Sequence, residues 1–181
     1  ISTDQVYSGK GPHNEKNVQP INVYGLTKLF GENKIISPQT TILRTNYLSK
    51  SMIKNKNTLS DWIVNELKNN SSLSMFSDVF FNPLHVMTLC KQIEYIIRKP
   101  RKGVFNLGSK GYISKAELAL YLCKKMNLDR NLINFTSVSK GKLIAKRPHN
   151  MILNTNKFEN VFKLKLPKIN NELEKLFGDY K

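Results

Sequence analysis

Hydrophobic positions along the chain follow two alternating periods. In Thr58–Lys68 and Val86–Arg98 the apolar residues recur every three or four positions, which predicts amphipathic helices. Short apolar runs at Thr40–Thr45, Leu73–Phe76 and Gly103–Leu107 instead predict buried strands. Strands that alternate with helices are typical of an α/β fold with a parallel sheet.

The first fifty residues contain a further helix between two strands. Ser8–Gln19 is rich in Gly, Pro, Asn and Lys, and this composition predicts a loop. Asn22 is a good N-cap for a helix that begins just after it and stops at Ser37-Pro38. The apolar face expected to be buried consists of Val23, Leu26, Phe30, Ile35 and Ile36.

The second half of the chain repeats the alternation with shorter elements. Ser114 and Glu117 have the spacing of a capping box, which predicts a helix over Ala116–Met126. The remaining expected elements are extended segments at Ile133–Val138 and Met151–Leu153, and short helices at Lys157–Phe162 and Ile169–Phe177.

The chain is strongly basic, with a formal net charge of +16. Clustered Lys and Arg are the electrostatic signature of nucleic-acid binding. Here the positive residues are mostly lysines scattered from Lys10 to Lys181, without a basic stripe interleaved with aromatic residues. We therefore expect a solvated basic surface that suits an anionic substrate, and no nucleic-acid partner.

Cysteine and histidine usage gives no indication of a metal site. Cys90 and Cys123 lie far apart in helix-like segments, and we expect buried free thiols in a reducing compartment. The histidines are isolated from one another, so no metal ligand set is expected. No apolar run approaches the roughly 18 residues of a membrane span, and no signal-peptide pattern occurs. These features predict a cytoplasmic protein without a membrane partner.

The most informative chemistry lies in Tyr24-Gly25-Leu26-Thr27-Lys28. On a helix, Tyr24 and Lys28 stand one turn apart on the same face. An ammonium beside a phenol lowers the tyrosine pKa, so Tyr24 becomes able to exchange a proton with a substrate oxygen. A hydroxyl at the end of the preceding strand, from Thr3 or alternatively Ser2, is placed to hydrogen-bond the same oxygen. The same spacing also occurs by chance, as a surface lysine beside a half-buried tyrosine.

Three segments, in order, resemble the extended short-chain dehydrogenase/reductases. They are Ile1–Gly9 with the sequence ISTDQVYSG, Pro20–Glu32 with PINVYGLTKLFGE, and Ile42–Asn46 with ILRTN. Within that group they are most similar to the dTDP-4-dehydrorhamnose reductase family, which typically reads STDYVF(D/S)G, P-x-N-x-Y-G-x-(S/T)-K-x-x-G-E and LRTSW. A weaker similarity continues through Gly103–Gly108 and Arg147-Pro148.

The resemblance implies an α/β fold: the C-terminal part of a Rossmann-like, doubly wound parallel sheet plus a small α/β substrate-binding region. Residues 1–49 would belong to the NAD(P)-binding domain and residues 50–181 to the substrate-binding region, with about 84–107 returning to the sheet. The sequence contains no Gly-x-Gly-x-x-Gly fingerprint, which in this family precedes the STD segment. We therefore expect an N-terminally truncated fragment that is inactive by itself.

The resemblance also implies a reaction. It is NADPH- or NADH-dependent reduction of the 4-keto group of a nucleoside-diphosphate 4-keto-6-deoxysugar, a step of nucleotide-sugar and cell-surface polysaccharide biosynthesis. Tyr24 would donate the proton, Thr3 would bind the reacting oxygen, and Lys28 would also hydrogen-bond the nicotinamide ribose. The implied cofactor-binding residues are Tyr24, Lys28 and Ser2, and the implied substrate-binding residues are Thr3, Asn46, Tyr47, Asn82 and Arg147, with Arg147 on the diphosphate. The expected partner is a nucleoside-diphosphate sugar, and the assembly state is open between a monomer and a homodimer.

Gln5 distinguishes this chain from the related dehydratases, which carry Thr-Asp-Glu at the same place. Glutamine does not titrate, so the base that elimination requires is missing. The reductases usually have an aromatic residue here, and Gln5 therefore leaves the substrate identity open. Two other functions also stay open. One is a non-catalytic sugar-nucleotide-binding or regulatory subunit on the same fold, and the other is an epimerase with the same Tyr and Lys.

Overall fold

The computed structural model describes residues 1–35, 39–141 and 143–181. Its strands are β1 Ser2–Thr3, β2 Thr41–Thr45, β3 Tyr47–Leu48, β4 Leu73–Phe76, β5 Phe80–Phe81, β6 Leu84–His85, β7 Gly103–Leu107, β8 Ile113–Ser114, β9 Ile133–Thr136 and β10 Asn150–Met151. Its α-helices are α1 Val23–Ile35, α2 Leu59–Lys68, α3 Val86–Arg98, α4 Lys115–Lys125, α5 Asn156–Phe162 and α6 Ile169–Gly178.

The main sheet is parallel and has the strand order β1-β2-β7. Thr3 pairs with Thr45, and Thr45 pairs with Leu107 on the other side of β2. Because the strands run in one direction, their carboxyl ends meet at the same edge of the sheet. The predicted α/β fold with a parallel sheet is confirmed.

Smaller sheets complete the second half of the chain. β4 pairs with β9 and β3 with β6, both in parallel, while β5 lies between β10 (parallel) and β8 (antiparallel). Strand β9 ends at Thr136 and not at Val138, because the Ser137 hydroxyl accepts the N–H of Ser139 (3.2 Å) and starts a 3-10 turn. The predicted capping box of Ser114 and Glu117 is present at the start of α4.

Two large apolar clusters hold these elements together. Helices α2, α4 and α6 pack over β4 and β9, with Ile63, Leu67, Leu118, Leu122 and Leu176 among the buried residues. Helices α3 and α5 pack against β2, β6 and β7, with Leu89, Ile96, Phe105, Phe158 and Phe162 among them. The edge of the main sheet where β1 and β2 end lies near α2 of the first cluster and α3 of the second. The candidate site is at this edge.

Helix α1 packs in a way that the hydrophobic pattern did not predict. Val23, Leu26, Phe30 and Ile35 are exposed, and the buried residues of the helix are Gly25 and Glu32. The expected apolar contact face was therefore wrong. The helix packs through its backbone at Gly25 and through the Glu32 carboxylate, which pairs with Arg44 of β2. Ile36 and the predicted stop at Ser37-Pro38 lie outside the described residues.

The two cysteines are both free but differ in exposure. Cys123 is buried, and burial raises the pKa of its thiol. Cys90 is exposed on α3, so the expectation that it is buried was wrong. Within the described ranges, no helix has both the length and the apolarity needed to cross a bilayer.

Candidate active site

The site is formed where β1 and β2 end. Thr3 and Thr45 pair across the two strands, so the following residues, Asp4 and Asn46, leave the sheet side by side. The Thr3 hydroxyl donates to Asp4 Oδ1 (3.1 Å) and accepts the N–H of Gln5 (3.2 Å), which starts a 3-10 turn over residues 4–6. This turn fixes Thr3 at the carboxyl edge of the sheet, where parallel α/β proteins bind ligands.

Helix α1 is held against this turn by polar contacts at its start. Asn22 Oδ1 accepts the N–H of Gly25 (2.8 Å), as the predicted N-cap requires. Asn22 Nδ2 donates to Gln5 Oε1 (2.9 Å). A Cβ at position 25 would collide with the Gln5 carbonyl oxygen, so glycine is required for this close approach. These contacts fix the position of Tyr24 relative to Thr3.

Tyr24 and Lys28 line one cleft with Thr3. This cleft, termed the Tyr24 cleft, has a volume of about 680 Å³ and includes Ser2, Thr3, Tyr24, Lys28, Asn46 and Tyr47 in its walls. Tyr24 is exposed, at 53% of its surface. Lys28 Nζ donates to the Ile1 carbonyl oxygen (3.0 Å), at the start of β1. The structure thus brings together the three residues predicted to be catalytic.

A second cavity of about 570 Å³, termed the Trp62 cavity, adjoins the first. The residues that line both are Asp4, Gln5, Asn46, Tyr47 and Arg147. The remaining wall is mostly apolar and includes Trp62, Phe76 and Phe81, and Lys115 lines it at the start of α4. A ligand with a polar and a less polar part could therefore span the two spaces.

Asp4 lies buried between the two cavities. Its carboxylate accepts hydrogen bonds from the Asn46 side-chain amide and from the Thr3 hydroxyl. Burial raises the pKa of Asp4, although the Asn46 hydrogen bond, the Lys115 charge and the Thr3 hydrogen bond oppose this shift. Asn46 Oδ1 is buried and has no hydrogen-bond partner among the described residues. Buried polar atoms are nearly always paired, so this unpaired acceptor is unusual.

Arg147 reaches both cavities from the segment before β10. Asn22 Nδ2 donates a second hydrogen bond to the Lys146 carbonyl oxygen (3.0 Å), which holds this segment against the start of α1. Pro148 is buried, whereas Arg147 is exposed. Its guanidinium is therefore available to an anionic group at the mouth of the site.

Asn82, by contrast, lines neither cavity. Its side-chain amide donates to the carbonyl oxygens of Ser109 and Leu153 (both 3.0 Å), and its Oδ1 accepts the N–H of Leu153 (2.9 Å). It is 2% exposed and ties together three segments that follow β5, β7 and β10. The structure does not bring Asn82 to the substrate site, because the backbone already uses both polar atoms of its side chain.

A buried polar network under the strand ends was missed by the sequence reasoning. Arg44 donates to both oxygens of Glu32 (2.6–3.1 Å) and to the Tyr7 hydroxyl (2.8 Å). Ser2 lines the Tyr24 cleft, but its hydroxyl donates to Glu32. Burial raises the pKa of Tyr7. The available signal was the presence of Glu32 and Arg44 within the segments that carry the family resemblance.

Sequence reasoning also missed Lys115 and Trp62. Trp62 belongs to the apolar stripe of the predicted helix over Thr58–Lys68, yet this residue is 38% exposed and lines the cavity. The signal for Lys115 was its place directly after the N-cap Ser114, where a positive charge opposes the helix dipole.

The parallel sheet with a cleft at its carboxyl edge defines a Rossmann-like α/β protein. The chain belongs to the RmlD substrate binding domain family, whose model matches residues 1–181. The resemblance drawn from the three sequence segments is thereby confirmed.

Named relatives agree with the family. The chain is 30% identical over 181 residues to the dTDP-4-dehydrorhamnose reductase of Shigella flexneri, across 92% of this chain and 60% of that protein. A solved structure of dTDP-4-dehydrorhamnose reductase from Bacillus anthracis, in complex with NADP, superposes with a TM-score of 0.86 at 26% identity, over 98% of this chain and 64% of that one. A further relative, 27% identical over 171 residues, is methionine adenosyltransferase 2 subunit beta of Pongo abelii, across 89% of this chain and 51% of that protein. The chain spans 60% of the length of the curated reductases that it matches.

Proposed function

We propose that this chain carries the catalytic Thr, Tyr and Lys of an NAD(P)H-dependent reductase of nucleoside-diphosphate 4-keto-6-deoxysugars. The observation that carries the proposal is the meeting of Thr3, Tyr24 and Lys28 in one cleft at the carboxyl end of β1. The reductase relatives favour dTDP-4-dehydrorhamnose as the substrate and NADPH as the cofactor.

The residues of the Tyr24 cleft fit the nicotinamide end of such a cofactor. Lys28 uses one ammonium hydrogen on the Ile1 carbonyl oxygen, and the other two are suited to ribose hydroxyls. Leu89 and Ile93 give the cleft an apolar wall. Ser2 holds Glu32 at the same end of the cleft. The cofactor, when bound, supplies the hydride.

Tyr24 acts as the general acid in this proposal. As the carbonyl carbon of the substrate is reduced, its oxygen takes up the proton of the Tyr24 hydroxyl. Thr3 holds the same oxygen by turning its hydroxyl hydrogen from Asp4 to the substrate, while Asp4 keeps the hydrogen bond from Asn46. Proton donor and hydrogen-bond donor are thus fixed on two elements that Gln5 and Asn22 join.

Tyr47 and Arg147 bind the rest of the substrate. Tyr47 is 57% exposed and borders both cavities, so its ring offers a face on which a sugar packs. Arg147 offers a bidentate contact to the diphosphate.

The activity is tested by giving NADPH and dTDP-4-dehydrorhamnose to the full-length protein that contains these 181 residues. We expect one cofactor oxidised for each sugar nucleotide reduced, followed by absorbance and by product mass. With dTDP-glucose as the sole sugar nucleotide we expect no dehydration, because Gln5 supplies no base. Robust conversion of dTDP-glucose to its 4-keto-6-deoxy product would replace the reductase assignment by a dehydratase.

Tyr24→Phe removes the proton donor and leaves the shape of the site almost unchanged. We expect the rate of hydride transfer to fall by about 10² to 10⁴, since a positioned general acid contributes that much. Single-turnover cofactor oxidation measures this rate. The matched control is Tyr112→Phe, at a tyrosine of similar exposure that lines neither cavity, and it should stay within about threefold of wild type. A similarly small effect of Tyr24→Phe would exclude Tyr24 as the acid.

A second candidate function is that of an accessory subunit, and the similarity to methionine adenosyltransferase 2 subunit beta favours it. In that case the protein would bind a nucleotide ligand without oxidising the cofactor, and would change the activity of a partner enzyme. Binding of dTDP-4-dehydrorhamnose with no product after prolonged incubation would point to this function.

A further inference from the structure

Lys115 extends along the wall of the Trp62 cavity, although its surroundings are mostly apolar. The capping box of Ser114 and Glu117 fixes its backbone, and its own N–H donates to the Val79 carbonyl oxygen (3.0 Å). Its ammonium lies 3.2 Å from the centre of the Phe81 ring, a side chain that is 2% exposed. The lysine is therefore held in a defined place at the cavity.

The cation has two favourable contacts within the fold, the face of the Phe81 ring and the charge of Asp4. Among the described residues, Lys115 Nζ forms neither an ion pair nor a hydrogen bond with an oxygen. The helix dipole and the charge of Arg147 both disfavour an ammonium here. Burial lowers the pKa of Lys115 to about 8, Arg147 adds to that shift, and Asp4 opposes it. The net effect of these surroundings disfavours the charged form, which is typical of a ligand-binding position.

The groups opposite Lys115 show which kind of ligand fits. The Asp4 carboxylate, whose charge acts on Lys115, accepts hydrogen bonds, whereas the ammonium offers donors only. A hydroxyl group donates and accepts, and it can therefore satisfy both sides at once. A phosphate only accepts, and it would meet the Asp4 carboxylate at this point. The patch thus favours a sugar hydroxyl over a diphosphate.

We propose that Lys115 is a substrate-binding residue whose ammonium donates a hydrogen bond to a hydroxyl of the sugar ring, beside the carbonyl that Thr3 holds. The proposal rests on the proposed function for the identity of the ligand as a nucleoside-diphosphate hexose. Because Asp4 directly follows Thr3 and borders both cavities, the bound hydroxyl belongs to a carbon near the reacting one. Arg147 at the mouth is left for the diphosphate.

The test compares two probes, dTDP-glucose and dTDP, by calorimetric titration of the intact protein and of Lys115→Met. Methionine is one atom shorter than lysine, but it keeps an unbranched apolar chain beside Phe81 and removes the donor. We expect the affinity for dTDP-glucose to fall by at least about tenfold, since a hydrogen bond to a charged group is worth about that or more. The affinity for dTDP should stay within about twofold, because dTDP has no sugar on its diphosphate end.

Two control variants separate this role from others. Lys124→Met, on the exposed side of the same helix, should leave both affinities unchanged. Arg147→Gln should weaken dTDP and dTDP-glucose alike, as expected for a diphosphate contact. An equal loss of both probes in Lys115→Met, or no loss, would overturn the proposal.

Failure of the inference and failure of the reductase assignment give different results. If the wild-type protein bound neither probe, the inference would fall together with the substrate class. If the protein oxidised no cofactor but lost dTDP-glucose selectively on Lys115→Met, the inference would stand and only the reduction would be wrong.

Discussion

At the scale of single residues, the ammonium of Lys115 lowers the stability of the folded protein. Substitution of Lys115 measures this loss. Burial lowers the pKa of Lys115 from 10.5 to about 8, so the folded state disfavours its charged form at neutral pH. Functional positions commonly retain residues that reduce stability, and their replacement then stabilises the protein while it impairs function.

We expect Lys115→Met to raise the free energy of unfolding at pH 7 by about 1 to 3 kcal/mol. Between pH 8 and about 10.5 the unfolded state binds a proton at Lys115 that the folded state has lost, so wild-type stability rises with pH in that window. The advantage of the variant should therefore shrink from pH 7 to pH 9.5. Urea unfolding of the wild type and the variant at pH 7 and at pH 9.5 measures this difference in the free energy of unfolding. A variant less stable than wild type at both would show that the ammonium supports the fold.

At the scale of elements, the contact between α1 and the 3-10 turn after β1 sets the geometry of the site. The helix has two glycines in different surroundings. A Cβ at Gly25 would meet the Gln5 backbone, while a Cβ at Gly31 would have no atom within 4 Å. The two positions therefore make a matched pair.

Gly25→Ala should displace α1 and lower stability by about 1 to 3 kcal/mol, because the collision is with backbone rather than a flexible side chain. It should also reduce the proposed reductase activity, since Tyr24 moves with the helix. Gly31→Ala should instead stabilise the protein by up to about 1 kcal/mol, as alanine favours a helix over glycine. Thermal unfolding and cofactor oxidation of both variants test this. Equal effects of the two substitutions would show that the contact at Gly25 is not restrictive.

Sequence periodicity predicted the long elements well and the short ones poorly. Helices such as α2 and α3 have their own amphipathic pattern and caps, so their bounds follow from local residues. Strands β3, β5, β6 and β8 have two residues each, and only their pairing partners define them. The prediction of the buried face of α1 failed for a similar reason. A hydrophobic pattern does not show a glycine contact or a Glu32–Arg44 ion pair.

At the scale of the whole molecule, α6 connects the two apolar clusters. Leu173 and Leu176 belong to the cluster of α2 and α4. One turn before Leu176, Glu172 is fully buried, accepts the N–H of His85 at the start of α3 (2.7 Å) and pairs with Lys175 (2.6 Å). Lys175 in turn donates to Thr88 of α3 (2.6 Å).

Glu172→Gln should destabilise the whole protein by about 2 to 4 kcal/mol, because a neutral amide replaces a buried charge and turns a donor toward existing donors. The unfolding transition should remain single if α6 couples the clusters. Urea unfolding followed by circular dichroism measures both features. Glu174→Gln on the exposed side of α6 is the control and should leave stability almost unchanged. A Glu172 variant as stable as wild type would show that the network does not connect the clusters.

In the candidate site, the sequence identified some residues, and only the folded structure brings the others to them. Thr3, Tyr24 and Lys28 lie within twenty-six residues of one another and inside recognisable motifs, so the sequence was sufficient to name them. The sequence indicated Arg147 only through the weak similarity at Arg147-Pro148. Lys115 comes from a helix start more than eighty residues further on, and only the pairing of β8 with β5 brings it near Asp4.

Trp62 is the sole tryptophan of the sequence, and it stands in the wall of the Trp62 cavity. Indole emission depends on the polarity of its surroundings and on nearby quenching groups. Within these 181 residues no second indole interferes, so we expect binding in this space to change the emission of Trp62. The fold thus supplies an intrinsic optical probe, and stopped-flow emission traces would give the rates at which ligands arrive and leave without any attached dye.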